Sequence, residues 1–417
     1  MEQESTRSDI CSNEPYDGAM ANKRYSLKLM LTLVLLASAL TCMVTSAMLI
    51  RHFSSPDSVS AAVAEYKALM ELIDEFYIGD FNIDEVSAAS LHAAVDMLGD
   101  SWSYYMTAEE YASYLDRVNN RYAGIGIGAI SDVESGYIRV QYVTRNSAAE
   151  DAGFLEGDTI IEVDGEDIYG VDIEGLRALL SREIGETAIV TVMRSDGTMQ
   201  ELTVIYSYVF TDPVEFEMLE NDVGYVSLAN FDAGSADSFI SAVDSLIGQG
   251  ARAFVYDVRS NNGGLVSEMV RILDYLLPEG DIFVTIDKNG TEEVTVSDAA
   301  SIDIPAAVLV NRHSYSAAEY FAAILREYGY AEVTGERTTG KSRMQITLRL
   351  PSGGALHISS SQYLTRNRVK LFDEGGLEPD YTVLFTDEEA ALFASGRLEK
   401  SADTQLQAAL SVLNFSY

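Results

Sequence analysis

Residues 311–345 read NRHSYSAAEYFAAILREYGYAEVTGERTTGKSRMQ, and this stretch decides how the second half of the chain folds. Its run SAAE, which begins at Ser316, has the serine-to-glutamate spacing of a helix capping box, and Gly329 stands where the helix would end. Strands are predicted at 331–334 and at 344–350, and in the second of these apolar and polar residues alternate. Strands and helices also alternate upstream of the stretch, which is typical of an α/β layer architecture.

Lys341 allows a second interpretation, because residues 335–342 fit the phosphate-binding pattern Gly-x-x-x-x-Gly-Lys-Ser. That pattern requires a helix directly after the lysine, since the helix N-terminus holds the phosphate. Here residues 343–350 are predicted to form a strand instead, and Pro351 ends it. A P-loop nucleotide-binding protein is therefore disfavoured, and only ATP binding with magnesium would recover that interpretation.

Ser316 and Lys341 are a plausible chemical pair. A serine hydroxyl is a poor nucleophile at neutral pH until a base takes its proton, and a buried lysine with a pKa near ~7–8 can be that base. The chain has no Gly-x-Ser-x-Gly motif, and its four histidines form no obvious triad. Local sequence alone favours a helix-capping role for Ser316, but the two roles do not exclude each other, because the N–H groups at a helix start also favour developing negative charge. A serine–lysine site is therefore the hypothesis to test.

The charge of the chain excludes one class of partner. The chain carries 65 acidic and 28 basic residues, a formal net charge of −37. Such a surface repels phosphate backbones, which argues against nucleic-acid binding. Both cysteines, Cys11 and Cys42, lie near the N-terminus, so no disulfide, cysteine nucleophile or cysteine-bound zinc is expected after residue 51.

The apolar run Leu29–Ile50 contains 22 residues without a charge, which is long enough to span a bilayer as a helix. Basic residues stand at positions 23, 24 and 28 before it, whereas only Arg51 follows closely. Residues 1–28 are therefore predicted to stay in the cytoplasm and the rest to lie outside it. A cleaved signal peptide is the alternative, with Thr45-Ser46-Ala47 as the cleavage site, but the usual apolar core is only ~7–15 residues. We expect a single-pass protein of the cell membrane.

Two further regions precede the α/β part. Residues 56–120 are predicted to be mainly helical, with an aromatic-rich turn at 98–106. Residues 121–209 change to short strands and turns with two short helices, and their sequence begins with alternating glycine and isoleucine. Two turns follow, Ala-Gly-x-x-x-Gly-Asp at 152–158 and Val-Asp-Gly at 163–165.

In its glycine-rich loop and its order of turns, this region resembles a PDZ domain of the bacterial kind, a small β-barrel with two helices. The resemblance implies capture of a peptide that adds as a strand to the sheet edge while loop N–H groups bind its terminal carboxylate. The peptide-binding loop would be formed by Gly124, Ile125, Gly126 and Ile127. The plain alternative is that the glycines only permit close packing in a buried strand.

The stretch 311–345 also resembles the C-terminal processing peptidases, or tail-specific proteases. Their pattern is a Ser-Ala-Ser-Ala-Ser-Glu-like run, an alanine-rich helix, and Gly-Glu-x-Thr-x-Gly-Lys. Ser316 and Lys341 keep the family spacing of 25 residues, and Gln345 follows the lysine by four, as in many members. The resemblance implies Ser316 as nucleophile, Lys341 as general base, and Gln345 as the residue that holds the lysine ammonium. Some members have an aspartate eleven residues after the serine, where this chain has Glu327.

A second block, FVYDVRSNNGGL at 254–265, looks like the family's strand that ends in Asp-Leu-Arg-x-Asn-x-Gly-Gly. By resemblance, the N–H of Gly263 or Gly264 would form the oxyanion hole with the N–H of Ala317. The sequence does not decide between the two glycines. Standing alone, the block would be better explained as a plain Gly-Gly turn.

The likeness runs from about residue 58 to the C-terminus. It implies that 210–417 form an α/β (α+β) protease core related to the crotonase/Clp-protease-like layered fold, with the PDZ domain inserted before it. It departs from the family at Tyr315, which interrupts the small-residue run, and in lacking the proline often found before Gly-Gly. Both departures leave the substrate preference open.

The implied protein is a membrane-anchored serine endopeptidase that cleaves proteins or peptides with accessible C-terminal tails. It would need no metal or organic cofactor. Its helical segment is compatible with a homodimer without requiring one. The alternative is a catalytically inactive PDZ scaffold that binds protein C-termini at the cell surface.

Overall fold

A computed structural model describes residues 58–413 and, before them, positions 36, 38, 40, 41 and 43. The predicted membrane span at 29–50 lies outside the described residues except at those five positions. No helix among the described residues is both long and apolar enough to cross a membrane. The chain divides into two compact units, Met1–Asn82 and Ile83–Tyr417, and the first contains α1 (Ser58–Phe76).

The second unit begins with the expected helices but includes a strand that the sequence did not predict. It starts with α2 (Ile83–Asp96), β1 (Tyr104–Met106) and α3 (Ala108–Val118). Helix α3 begins at a capping box that Thr107 forms with Glu110. The aromatic turn before α3 ends in β1, because Tyr104–Met106 pairs with a strand from the far end of the chain.

The PDZ-like region has its own sheet and its own apolar core. Its strands run in the order β3-β4-β5-β7-β8, with β6 paired to β5. The elements are β3 (Ile127–Asp132), β4 (Tyr137–Val143), α4 (Ala148–Ala152), β5 (Thr159–Val163), β6 (Glu166–Asp167), α5 (Ile173–Leu180), β7 (Thr187–Met193) and β8 (Met199–Ile205). An antiparallel ribbon of β2 (Arg121–Gly124) and β9 (Ser207–Phe210) carries the chain into and out of this region.

The main sheet of the following region has six strands, five of them parallel, in the order β10-β11-β12-β15-β16-β19. The strands are β10 (Val214–Leu219), β11 (Val223–Leu228), β12 (Ala253–Asp257), β15 (Ala306–Val310), β16 (Ala331–Gly335) and β19 (Tyr381–Thr382). The expected mixed α/β architecture is confirmed. Because β12 and β15 are parallel neighbours, the loops after both strands emerge at the same edge of the sheet.

Helices cover both faces of this sheet, which explains why its central strands are apolar throughout. Phe254 and Tyr256 of β12 pack into the large core with α6 (Ser235–Gln249), α7 (Val266–Leu276) and α8 (Ala317–Glu327). The alternate residues Ala253 and Val255 pack on the other face against α10 (Thr404–Leu413), which follows α9 (Asp387–Ala394).

A second sheet lies over the start of α8 and is built around the long strand β18 (Ala355–Leu364). Its other members are β13 (Gly280–Asp287), β14 (Glu292–Ser297), β17 (Arg343–Arg349) and β1. Strand β18 pairs with β17 along one side and with β1 and β13 along the other. Of these, only β17 was predicted from the sequence. The sheet matters for the site, because β17 follows Lys341 directly and β1 follows the aromatic turn.

Candidate active site

Ser316 lies in a strained turn between β15 and α8. Its backbone angles are φ 60° and ψ −123°, and the Ala318 N–H donates to the Tyr315 carbonyl at 3.3 Å. This is the turn position that glycine normally occupies. The cap residue Thr107, by contrast, has extended angles of φ −63° and ψ 173°. A helix cap does not require the strained angles of Ser316, so capping alone does not account for this residue. Backbone strain of this kind is typical of functional sites.

Glu319 connects the serine segment to the lysine segment. Its side chain is fully buried and accepts from the N–H groups of Ser316 and Lys341, both at 2.9 Å. It also accepts from the Gly340 N–H and the Thr338 hydroxyl, again at 2.9 Å. Burial raises the pKa of Glu319, and the four donors oppose that rise. One carboxylate thus fixes the backbone on both sides of the site, which goes beyond the capping role predicted for it.

Lys341 is 9% exposed, and its surroundings favour the neutral amine. Burial lowers the pKa of Lys341 to about 8, although the negative charges of Glu319 and Asp100 oppose the shift. Its carbonyl accepts a hydrogen bond from the Tyr363 hydroxyl, which helps to hold the backbone in place. Its Nζ lies 4.5 Å from the centre of the Trp102 ring. A lysine with this pKa can take a proton near neutral pH.

One cleft of about 860 Å³ brings these groups together. Six residues predicted from the sequence line it: Gly263, Gly264, Ser316, Ala317, Lys341 and Gln345. The remaining predicted site residues, at 124–127, belong to the PDZ-like region and do not line this cleft.

The two glycines after β12 lie directly beside the serine turn. A Cβ on Gly263 would come within 2.8 Å of the Ser316 Cβ and 3.0 Å of the Ala317 nitrogen. The Gly263 N–H donates to the Asn261 side chain at 2.8 Å. Within the described part of the chain, the N–H groups of Gly264 and Ala317 donate to no acceptor. Those two N–H groups are therefore available to a substrate oxygen, whereas that of Gly263 is occupied.

Gln345 does not make the expected bond to Lys341. Its amide nitrogen donates to the Arg343 carbonyl and to the Ser359 hydroxyl, both at 3.0 Å, and no hydrogen bond to Lys341 occurs within residues 58–413. The irregular β17–β18 register at Met344 and Gln345 accompanies this placement. Glu327 lies eleven residues along the chain from Ser316, and its carboxylate accepts from the Asn367 N–H at 2.9 Å. That contact gives Glu327 a structural role on its helix.

Sequence reasoning missed the contribution of the aromatic turn and of β18 to the cleft. Trp102 and His357 both line it. Burial, together with the positive charges of Lys341 and Arg117, lowers the pKa of His357 to about 4, so its imidazole is neutral near pH 7. The run of aromatic residues at 98–106 was the available signal, but only the β1–β18 pairing shows that it reaches the cleft.

The glycine-rich loop of the PDZ-like region combines close packing of a glycine with N–H groups that are free to bind a carboxylate, the two roles that the sequence suggested for it. Gly126 is packed closely, since a Cβ there would come within 2.3 Å of the Ser147 Cβ. The carbonyls of Ile125 and Gly126 accept from Ala149 and Thr144 at 2.8 and 2.9 Å. Their N–H groups donate to no acceptor among the described residues. Packing therefore explains the glycine at 126, and two N–H groups remain available for a carboxylate.

Comparisons with known proteins agree with this division of the chain. The model for the family described as "Peptidase family S41" matches residues 222–383, and a PDZ domain model matches residues 123–205. The first match contains Ser316, Lys341 and the Gly263-Gly264 turn. The second contains the glycine-rich loop.

Individual relatives extend the likeness beyond these two matches. A CtpA-like serine protease of Staphylococcus saprophyticus is 27% identical over 314 residues, which cover 74% of this chain and 63% of that protein. The carboxy-terminal processing protease CtpA of Bacillus subtilis is 26% identical over 349 residues, covering 83% and 74%. A crystal structure described as an S41 protease from Bacteroides fragilis is 18% identical, with a TM-score of 0.51 and coverage of 82% and 93%. The last of these supports the fold alone.

Proposed function

The chain belongs to the C-terminal processing peptidases of family S41 and is a serine-type endopeptidase, and we propose that Ser316 is its nucleophile and Lys341 its general base. The observation that carries this proposal is the shared cleft in which a strained serine and a buried lysine of lowered pKa are joined through Glu319. Neither a helix cap nor a surface lysine needs such an arrangement.

The proposed reaction is an acyl transfer through Ser316. Neutral Lys341 takes the hydroxyl proton, and the Ser316 oxygen attacks the scissile carbonyl to give a tetrahedral oxyanion. Lys341 then returns the proton to the leaving amine, and water hydrolyses the acyl-enzyme. Gln345 would orient Lys341 only after its side-chain oxygen turns towards the ammonium, because its amide nitrogen is held elsewhere.

For the oxyanion hole, we assign the donors as the N–H groups of Gly264 and Ala317. Both lack an acceptor in the described part of the chain, and preorganised donors of this kind stabilise the charge that develops in the transition state. Gly263 then has a steric role, because any side chain there would collide with Ser316. Its own N–H keeps the Asn261 contact.

The substrates are proteins or peptides, and the PDZ domain would capture their C-terminal tails. The N–H groups of Ile125 and Gly126 would bind the terminal carboxylate. The tail would add to the outer edge of β3, an edge strand that pairs only with β4 within the described sheet. We also retain the membrane anchor at 29–50 and an active site outside the cytoplasm as proposals from charge and hydropathy.

Labelling with a fluorophosphonate tests the nucleophile directly. The probe should attach to Ser316, which peptide mass spectrometry would identify, and prior treatment with substrate peptide should protect it. Absence of labelling in a protein that still binds peptide tails would favour the inactive PDZ scaffold instead.

The pH dependence of kcat/KM tests the lysine. Only the neutral amine accepts a proton, so activity should rise with pH through the Lys341 pKa of about 8 and fall about tenfold per pH unit below it. The measurement is kcat/KM on a fluorogenic peptide between pH 5 and 10. A limb centred near pH 4 would instead indicate His357, whose pKa lies there.

Tail capture predicts a preference for a free carboxylate. A peptide substrate with a free C-terminus should be cleaved roughly 10-fold more efficiently than its amide, because charge-assisted hydrogen bonds to the loop are lost in the amide. Excising 125–206 should remove the difference. Gly124 and Ser207 are paired across the ribbon, so an Asn-Gly turn can join them. Equal rates for acid and amide in the intact protein would refute capture through the carboxylate.

A further inference from the structure

We propose that Trp102 is a positioning residue for the general base, and that its indole face receives the ammonium formed when Lys341 takes the serine proton. The inference rests on the proposed roles of Ser316 and Lys341. It assigns a chemical reason to the one tryptophan in the 417-residue chain.

The contact between the two side chains is the first argument. The Lys341 Nζ lies 4.5 Å from the centre of the Trp102 ring, within the range of a cation–π interaction. Within residues 58–413, this nitrogen makes no ion pair, and it donates no hydrogen bond. The Trp102 ring face is therefore the group that contacts the Lys341 ammonium within residues 58–413.

The position of Trp102 is fixed by elements that also hold the reacting groups. Its ring packs against that of Tyr315, the residue before the nucleophile, with centroids 5.5 Å apart. The backbone N–H of Trp102 donates to the Asp100 carboxylate at 3.4 Å, and that carboxylate pairs with Arg343 at 2.9 Å. Arg343 begins β17, two residues after Lys341. The ring thus contacts the serine side of the cleft, and the backbone that carries the ring is linked through Asp100 to the lysine side.

An aromatic face suits this lysine better than a carboxylate would. A carboxylate in direct contact with Nζ would raise the lysine pKa and keep it protonated, so it could not act as a base. Indole excludes water, which favours the neutral amine before the reaction, yet its negative face stabilises the cation that appears during it. The contact therefore becomes stronger as the proton arrives, as an interaction that assists catalysis must.

Glu319 and Asp100 favour the Lys341 ammonium electrostatically, but neither makes an ion pair with its Nζ within residues 58–413. The charged or titratable side chains near it are Asp100, Glu319, Arg343, His357 and Tyr363. The Asp100 carboxylate is paired with Arg343, and Glu319 accepts from four other donors. Burial raises the pKa of Tyr363 far above its usual value, and His357 is neutral, so neither carries charge near pH 8.

Kinetics of Trp102 variants give the first test. Trp102→Leu should lower kcat roughly 10-fold, and Trp102→Phe, which keeps an aromatic face, should restore most of it. In Trp102→Phe the weaker face should also lower the Lys341 pKa, so the acid limb of kcat should move to lower pH by roughly 0.5 unit. Tyr114→Leu is the matched control, because this ring also lines the cleft but contacts His357 and Arg117. Tyr114→Leu should not shift the acid limb of the kcat–pH profile.

Fluorescence of the unmodified chain gives a second test that does not depend on activity. Because Trp102 is the single tryptophan, its emission should change through a transition near pH 8, and Lys341→Met should abolish that transition. This measurement tests the contact between Trp102 and Lys341 even if Trp102→Leu fails to fold.

The outcomes separate this inference from the proposed function. A fluorescence transition that persists in Lys341→Met, or equal loss of kcat with leucine and phenylalanine at 102, would overturn the role of Trp102. Full activity in Lys341→Met would overturn the lysine mechanism itself, whereas a fluorescence transition that occurs in the unmodified chain and disappears in Lys341→Met would still show the contact between Lys341 and Trp102.

Discussion

Replacing Ser316 or Lys341 should abolish peptide cleavage while the protein stays folded. Ser316→Ala removes the proposed nucleophile, and Lys341→Met removes the proposed base while keeping an apolar chain of similar length. Either change should lower kcat by at least roughly 10⁴-fold, because residues that act as one unit each account for nearly the whole effect. The measurement is kcat on a fluorogenic tailed peptide, with thermal unfolding followed in parallel.

The same two positions provide their own control for folding. Lys341→Met removes an amine whose charge is costly to bury, so the free energy of unfolding should not fall. Ser316→Gly should stabilise the protein by about 1 kcal/mol, because glycine adopts φ 60° without strain. Cleavage at the normal rate by either folded variant would end the assignment of the dyad.

Local sequence was sufficient to predict the elements that carry the proposed reacting groups. The spacing of SAAE, the apolar face after it and the stop at Gly329 predicted α8, and Glu319 does accept from the Ser316 N–H. The alternation of apolar and polar residues predicted β17, and a strand at this position excludes a helix directly after Lys341. The family resemblance then selected Ser316 and Lys341 from among many serines and lysines.

What could not be predicted depends on contacts between distant parts of the chain. The positive φ of Ser316 has no local signature, because serine does not favour that conformation. Strand β1 is only three residues long and exists through its pairing with β18, more than 240 residues later. The place of Trp102 over Lys341 follows from that pairing. The amide orientation of Gln345 depends on Ser359 across β18, which no spacing rule describes.

Glu319 should be the residue outside the dyad whose loss is most costly to both stability and activity. Glu319→Ala would leave four donors without their acceptor in a fully buried site: Ser316 N–H, Thr338 O–H, Gly340 N–H and Lys341 N–H. The free energy of unfolding should fall by about 3–5 kcal/mol, as expected when one partner of a buried charged network is removed. Denaturant unfolding measures this, and kcat per folded molecule measures the effect on the site.

Glu319→Gln separates the acceptor role from the charge. A glutamine can keep its oxygen towards Ser316 and Lys341 and turn its NH₂ towards Thr338, whose hydroxyl can accept, so that only the Gly340 N–H loses its partner. Stability should therefore fall by only about 1–3 kcal/mol, and activity should survive in part. Glu327→Ala is the matched control on the same helix. The Glu327 carboxylate accepts from one exposed N–H, so its loss should lower the free energy of unfolding by less than about 1 kcal/mol. If Glu319→Ala were as stable and as active as Glu327→Ala, the carboxylate would not be what holds serine and lysine in register.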